Sequence, residues 1–477
     1  MLRRISPIVL LLALAGVLLT GCAGAKTGET GQVPESASLA PADALAYATV
    51  TTDEGSDQRQ KTASLLERIP GLRDGLAGSV ASGLREQGID WDVDVRPALG
   101  PELVVVATAD KQPLVLVQPE DESKLEALLD KSDTTYVRGT VDDWQAVAQS
   151  QSALDAYRAA LRSGTLEGVE RFTDGFEALP ADSLARVWVD TGRLSKELGQ
   201  VVDTKSEIDL GLDWLAAALT AKDDGMLLTV ATRTPGGSDT RYQPELFARV
   251  PADAVAALSF GGTQGLLDRV QGSVSVDELS KQIQRFTGVP LGRLVDSLSG
   301  EGALYVRKGG GGKLPEVTLV LAPPDPDKTW ETLNDLARTL ARQAQGTVTV
   351  RTEDGREVRR VVLGDVTISF ARLDEKTLIV TTGADGIRTF AADGAKLVDS
   401  EAFARAAEAV DMTPGERTRG FLYVDLDGVV PLVGAASSGT EVPADAKDVL
   451  SSLDSFVLRG TGEGDVTQLQ GFLRLND

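Results

Sequence analysis

The 477-residue sequence predicts an α+β fold in two tandem related halves, each a largely antiparallel sheet with helices packed on one face. Three observations lead there. Short motifs recur in the same order along the chain, beginning with Pro41-Ala42-Asp43-Ala44-Leu45-Ala46 and again with Pro251-Ala252-Asp253-Ala254-Val255-Ala256. Strand-like runs are short and joined by hairpin turns or single helical stretches, not by strict strand–helix alternation, which favours antiparallel sheets. Helical stretches such as 72–84 carry one apolar stripe, the pattern of a helix lying on a sheet face.

At the start of the chain, Arg3 and Arg4 precede an almost unbroken apolar run over residues 8–19. That run is short for a bilayer span, which needs about 20 apolar residues, and its flanks are those of a secretory signal. Leu19-Thr20-Gly21-Cys22 follows and resembles the lipobox of bacterial prolipoproteins. The resemblance implies that residues 1–21 are a signal peptide and that Cys22 is lipidated by a diacylglycerol. Each buried methylene of such an anchor contributes about 0.8 kcal/mol to membrane attachment. Residues 22–37, rich in Gly, Thr and Ala early on, read as a flexible tether. The expected location is the cell membrane, lipid-anchored on its extracytoplasmic face.

The halves are expected at 38–240 and 248–477. Each Pro-Ala-Asp motif leads into a strand (47–51, 257–260) and then into helical stretches interrupted by Pro70 and Pro290. Leu99-Gly100-Pro101-Glu102 opens a strand over 103–107, and Leu298-Ser299-Gly300-Glu301 opens one over 303–306. Buried strands at 113–117 and 317–321 each run into a Pro/Asp-rich helix start, where acidic residues suit the positive end of the helix. Further on, 144–148 corresponds to 377–381, Phe172 to Phe403, and the strand 185–190 to 420–425. Each half closes on a hairpin, turning at 222–225 and at 462–465. Pro235-Gly236-Gly237-Ser238 links the halves; an added hairpin at Asp354-Gly355 and a glycine loop at 309–312 lengthen the second.

Composition bounds the function. A hydrophobic share of 42% with 25% charged residues is that of a globular chain. The formal charge of −23 argues against nucleic acid and against a peripheral hold on anionic lipid, both of which need basic patches. There is no histidine and only one cysteine, Cys22. Ser-His-Asp and Cys-His catalysis, histidine metal ligation and disulfides are therefore excluded.

The Pro-Ala-Asp opening before a strand, the Leu-Gly-x-Glu step at Leu99–Glu102, and aromatic-aliphatic strands ending in Asp carry a family resemblance. The last are Val187-Trp188-Val189-Asp190 and Leu422-Tyr423-Val424-Asp425. On these the chain resembles the bacterial proteins of domain-of-unknown-function family 3352. The second half departs from the pattern at Ser299-Gly300-Glu301. The resemblance implies architecture and carries no activity.

Four groups of residues invite a chemical reading. Asp425-Leu426-Asp427-Gly428 looks like a calcium-loop fragment, but Val429-Val430 follows where further oxygen ligands are needed, so a strand end is expected. Lys308 to Lys313 around four glycines lacks the Walker spacing and reads as a hairpin tip. Asp90, Asp92 and Asp94 alternate about Trp91, Val93 and Val95, as on one face of a strand; with Glu102 they could bind a cation or act as paired carboxylates in glycoside hydrolysis, or simply be solvated. Ser79 and Ser82 have neither a G-x-S-x-G elbow nor a nearby base.

No catalytic, metal or cofactor residues are therefore assigned, and the chain is not expected to be an enzyme. The expected function is that of a non-enzymatic binding or scaffold lipoprotein of the cell envelope. Its partners would be the membrane, through the anchor, and an envelope protein or apolar ligand, but no nucleic acid. A carrier of lipid or another apolar molecule and a carboxylate-dependent hydrolase are the alternatives.

Overall fold

The computed structural model describes residues 31–71, 84, 88–108, 112–132, 134–199, 211–237, 239–262, 274–309, 314–364, 366–436 and 444–476. The chain forms two compact units. The first is Met1–Ser238 with Pro443–Asp454 and Gly462–Asp477; the second is Asp239–Val442 with Ser455–Thr461. The repeat predicts boundaries at 38–240 and 248–477 after a tether over 22–37; by packing, residues 443–454 and 462–477 fall with the first unit, and Glu35–Leu39, with Ser36 and Ala37 buried, belongs to its fold and not to the tether.

The first unit begins with a 3-10 turn, Glu35–Leu39, and strand β1, Ala46–Thr51. Ser56 then caps helix α1, Asp57–Arg68, its hydroxyl accepting from the Arg59 amide at 3.3 Å. A π turn, Trp91–Val95, runs into the one-turn helix α2, Arg96–Leu99. Strands β2 (Glu102–Ala107) and β3 (Leu114–Val117), helix α3 (Glu122–Asp130), and strands β4 (Val137–Val141) and β5 (Trp144–Ala148) follow. Helices α4 (Gln151–Leu161) and α5 (Glu170–Glu177), strand β6 (Ala185–Val189), helix α6 (Thr191–Gly199), and strands β7 (Trp214–Lys222) and β8 (Gly225–Arg233) complete its main stretch. β18, Val466–Leu475, adds to β8. Every pairing is antiparallel, in the order β4-β5-β3-β2-β1-β6-β7-β8-β18.

In the second unit, strand β9 (Ala254–Phe260) leads to helices α7 (Val274–Thr287) and α8 (Leu291–Ser297). Next are strands β10 (Glu301–Arg307) and β11 (Glu316–Ala322) and helix α9 (Pro326–Gln343). Strands β12 (Val348–Glu353), β13 (Arg356–Leu363), β14 (Val366–Arg372) and β15 (Leu378–Thr381) come before helices α10 (Gly386–Ala391) and α11 (Glu401–Ala409). Strand β16 (Gly420–Asp425), helices α12 (Leu426–Ala436) and α13 (Ala444–Ser451), and strand β17 (Leu453–Thr461) end the series; α13 belongs to the first unit. The order here is β12-β13-β14-β15-β11-β10-β9-β16-β17, again antiparallel throughout. From β5-β3-β2-β1-β6 and from β15-β11-β10-β9-β16 the two units read the same pairing order.

Helices do not keep to one face, contrary to expectation. Strand β3 is buried along its whole length, and its residues alternate between two cores. Leu114 and Leu116 join Tyr47, Val104, Val106 and Trp188 beneath α4 and α5. Val115 and Val117 join Leu103 and Val147 beneath α2 and α3, which contribute Ala98, Leu99, Leu125 and Leu128. A central strand that is apolar on both sides requires cover on both sides. In the first of these cores Phe172 packs edge-on to Tyr47 and to Trp188, each at 5.3 Å between ring centroids, a geometry worth about 0.5–1.5 kcal/mol per pair beyond burial.

The second unit is covered likewise: α9 lays Trp330, Leu333, Ala337 and Ala341 over Val361, Phe370 and Val380. The opposite face gathers Phe247, Phe403, Phe421 and Tyr423. One exchange shows how the units balance volume. In the first, Tyr47 on β1 faces Val106 on β2; in the second, Ala257 on β9 faces Tyr305 on β10. The buried tyrosine has moved one strand over and its neighbour has shrunk, which keeps the packed volume about constant.

The helical stretch expected over 72–84 lies outside the described residues except for Leu84, and 263–273 lies outside them too. No described helix is long and apolar enough to cross a membrane.

Candidate functional site

Cys22, Ser79 and Ser82 lie outside the described residues, as does most of the glycine run at 308–313. The acidic candidates are described, and the structure separates them. Asp90, Asp92 and Asp94 sit on the π turn, not on a strand. Asp90 is its cap, with Oδ1 accepting from the amides of Asp92 at 3.0 Å and Val93 at 3.1 Å. A short carboxylate that can bond the backbone two and three residues ahead offers the chain a turn in place of a ladder, and here the turn wins. Asp94 pairs with Lys124 at 3.2 Å and Lys131 at 3.8 Å. A backbone bond to Asp90, reinforced by Lys124, holds its carboxyl below the usual range.

Glu102 is on the other side of the sheet. It shares the face of β2 that carries Val104 and Val106, whereas Val95 beside Asp94 packs with Leu103. Among the described residues no group of three acidic side chains could hold a metal ion. Asp425 ends β16 as expected, and its Oδ1 accepts from the Gly428 amide at 2.9 Å, capping α12. Asp190 does the same after β6 for the Arg193 amide at 2.9 Å, fully buried and paired with Arg171 at 2.9 Å.

Glu102 has a structural counterpart that the sequence placed in register but did not single out. Ser36, in the first 3-10 turn, donates to Glu102 Oε1 at 3.1 Å, and its hydroxyl lies 2.7 Å from that of Tyr47. Glu301, at the same place on β10, accepts from the amides of Leu246 and Phe247, where a second 3-10 turn, Phe247–Arg249, begins. In both units the glutamate that opens the second strand thus holds the turn preceding the Pro-Ala-Asp motif. Burial raises the carboxyl of Glu102 and pushes that of Glu301 up to about 7; nearby Glu245 adds to the effect on Glu301, and Arg249 opposes it.

At the far end of β10 and β11 the units diverge. Glu316 is 7% exposed and lies 3.6 Å from Arg307, which also pairs with Asp253 at 2.9 Å. Burial raises its carboxyl, against the pull of Arg307. Gly383 and Gly386 admit it: a Cβ on Gly383 would fall 1.9 Å from Glu316 Cδ. Nearby, the hydroxyls of Thr318 and Thr381 are 2.7 Å apart, and Tyr305, buried so that its hydroxyl is pushed up to about 12, stacks on Phe390. By strand register Tyr305, Thr318 and Thr381 take the places of Val106, Leu114 and Ala148, all apolar and buried in the first unit. Glu316 Oε1 and Arg307 Nη1 are buried without a hydrogen bond. This cluster can hold a proton or hydrogen-bond a small polar group. The signal for it was present in the sequence as threonines and a tyrosine at positions where the first unit reads aliphatic.

Three crystal forms of TP0453 are similar among solved structures. Forms III and IV share 12% identity with this chain and form I shares 11%, each with a TM-score of 0.26. They match 50%, 48% and 48% of this chain and 95%, 92% and 92% of their own. No curated protein matches the chain. The family model described as "Protein of unknown function (DUF3352)" matches residues 148–475, and by that match the chain belongs to the DUF3352 family.

Proposed function

We propose that the protein is an extracytoplasmic lipoprotein, anchored to the membrane through Cys22, that serves the cell envelope by binding and not by catalysis. The observation that carries this reading is the tetrapeptide Leu19-Thr20-Gly21-Cys22, placed at the end of a basic-then-apolar run and using the chain's one cysteine. The folded residues give it support. Asp90, Asp190, Glu102, Glu301 and Asp425 each bond a turn or helix start, so their chemistry is spent on holding the fold. A binding role is favoured by the second unit, which buries polar side chains where the first manages with aliphatic ones. Such burial costs stability unless it is compensated, and local departures of this kind tend to mark functional positions.

The test is fractionation of cells expressing the wild-type chain and Cys22→Ser. The wild type is expected in the detergent-soluble membrane fraction, and the variant is expected to leave it. Equal membrane retention of the variant would overturn the anchor.

A further inference from the structure

The second unit also differs from the first on its other face, at the junction of the helix before β10 with the helix after β11. In the first unit this junction is closed: α2 presents Ala98, and α3 presents Leu125 and Leu128, to the core that holds Leu103 and Val117. Those two strand residues are paired neighbours, as are Gly302 and Leu321 in the second unit. Stepping back from Leu103 to Ala98 corresponds to stepping back from Gly302 to Ser297. Stepping forward from Val117 to Leu125 and Leu128 corresponds to stepping forward from Leu321 to Thr329 and Thr332. Three apolar residues have become three hydroxyls, all still buried.

In the second unit a cleft of about 340 Å³ lies between α8 and α9, its lining including Arg293, Asp296, Ser297, Asp325, Lys328 and Thr329. That volume is in the range of small-molecule sites. Thr329 is only 3% exposed as a residue and lines the cleft. A threonine hydroxyl in that lining can both donate to and accept from a ligand that enters the cleft.

The charges define the ligand. Two cations, Arg293 and Lys328, face two carboxylates, Asp296 and Asp325; Lys328 stands 3.5 Å from Asp296, and Arg293 is held by Asp335 at 3.1 Å. The start of α9 would ordinarily favour an anion, but the Asp325 carboxylate already occupies it, accepting from the Lys328 amide at 2.9 Å. With Asp335 shared between Arg293 and Arg338, three cations balance three carboxylates, and what remains is a neutral set of donors and acceptors. We infer that this cleft takes a small, uncharged, hydroxyl-rich molecule, a saccharide unit or polyol. The inference deepens the binding role proposed above and rests on it.

The experiment is saturation-transfer NMR on the full chain in a non-glycosidic detergent, with D-glucose, N-acetyl-D-glucosamine and myo-inositol as probes and sodium phosphate as competitor. At least one probe is expected to bind. Thr329→Leu, which installs the residue the first unit carries, is expected to weaken that binding about tenfold or more, the loss of a hydrogen bond and of space. Ser297→Ala gives an independent reading should Thr329→Leu fail to fold. Absence of transfer to all three probes, equal binding by the folded variants, or displacement by phosphate would overturn the inference. Fractionation by Cys22 is untouched by Thr329→Leu, so failure of the cleft leaves the anchor standing, and failure of the anchor leaves the cleft measurable.

Discussion

Glu301 makes stability in the second unit respond to pH in a direction opposite to that of most carboxylates, and replacing it by glutamine removes that response. Glu301 has an ordinary value of 4.5 and is pushed up to about 7 by burial. An acid whose value is higher in the folded chain binds more protons there than in the unfolded chain. Folding is therefore favoured by Glu301 at low pH, and the advantage fades as pH rises from about 4.5 to about 7. At about 1.4 kcal/mol per unit the ionised carboxylate costs about 3 kcal/mol, reduced to about 2 because the side chain is only partly buried. Glutamine keeps an oxygen to accept from Leu246 and carries no charge. Urea unfolding at pH 4 and pH 8 checks the reasoning: Glu301→Gln is expected to match the wild type at pH 4 and to exceed it by about 2 kcal/mol at pH 8. Glu102, raised in the same direction, is present in both chains and cancels in the comparison. A variant less stable than the wild type at pH 8, or a difference that does not change with pH, would refute the argument.

Leu116→Ala removes a fully buried side chain from the first unit's larger core and should cost about 2–5 kcal/mol by thermal or chemical unfolding. Gly100→Ala meets two obstacles, a φ of +72° and the Gln118 carbonyl oxygen 1.8 Å from the new Cβ; a loss of about 3 kcal/mol or more is expected, again read from unfolding. Asp90→Ala deletes the cap of the π turn and should cost about 1 kcal/mol, whereas Asp94→Asn, which breaks partly exposed pairs with Lys124 and Lys131, should cost less than about 1 kcal/mol.

Strand positions were legible wherever burial is one-sided or complete. The β7–β8 hairpin turns where expected, with Lys222 paired to Gly225, because alternating runs on either side leave those residues as the polar break. Cover on both faces was written in the unbroken Leu-Val-Leu-Val of β3, a pattern that one-sided packing cannot satisfy. Asp90 to Asp94 misled because alternation of charge and apolar side chains is shared by a strand and by a capped turn, and only the reach of the Asp90 carboxylate to two amides separates them. The division of residues after 442 between the units was not legible: β17 and β18 read as one hairpin, and nothing in their residues states that β18 adds to β8. Nor was the cleft between α8 and α9, which is visible only when strand register places Thr329 where the first unit has Leu125.

Anchoring through Cys22 is the claim on which the functional reading depends, and the mass of the amino-terminal peptide tests it most directly. Trypsin digestion of the membrane-extracted protein is expected to yield a peptide spanning Cys22 to Lys26, with the cysteine carrying a diacylglycerol and nothing preceding it. A peptide that begins elsewhere, or that contains Cys22 with a free thiol, would contradict the account.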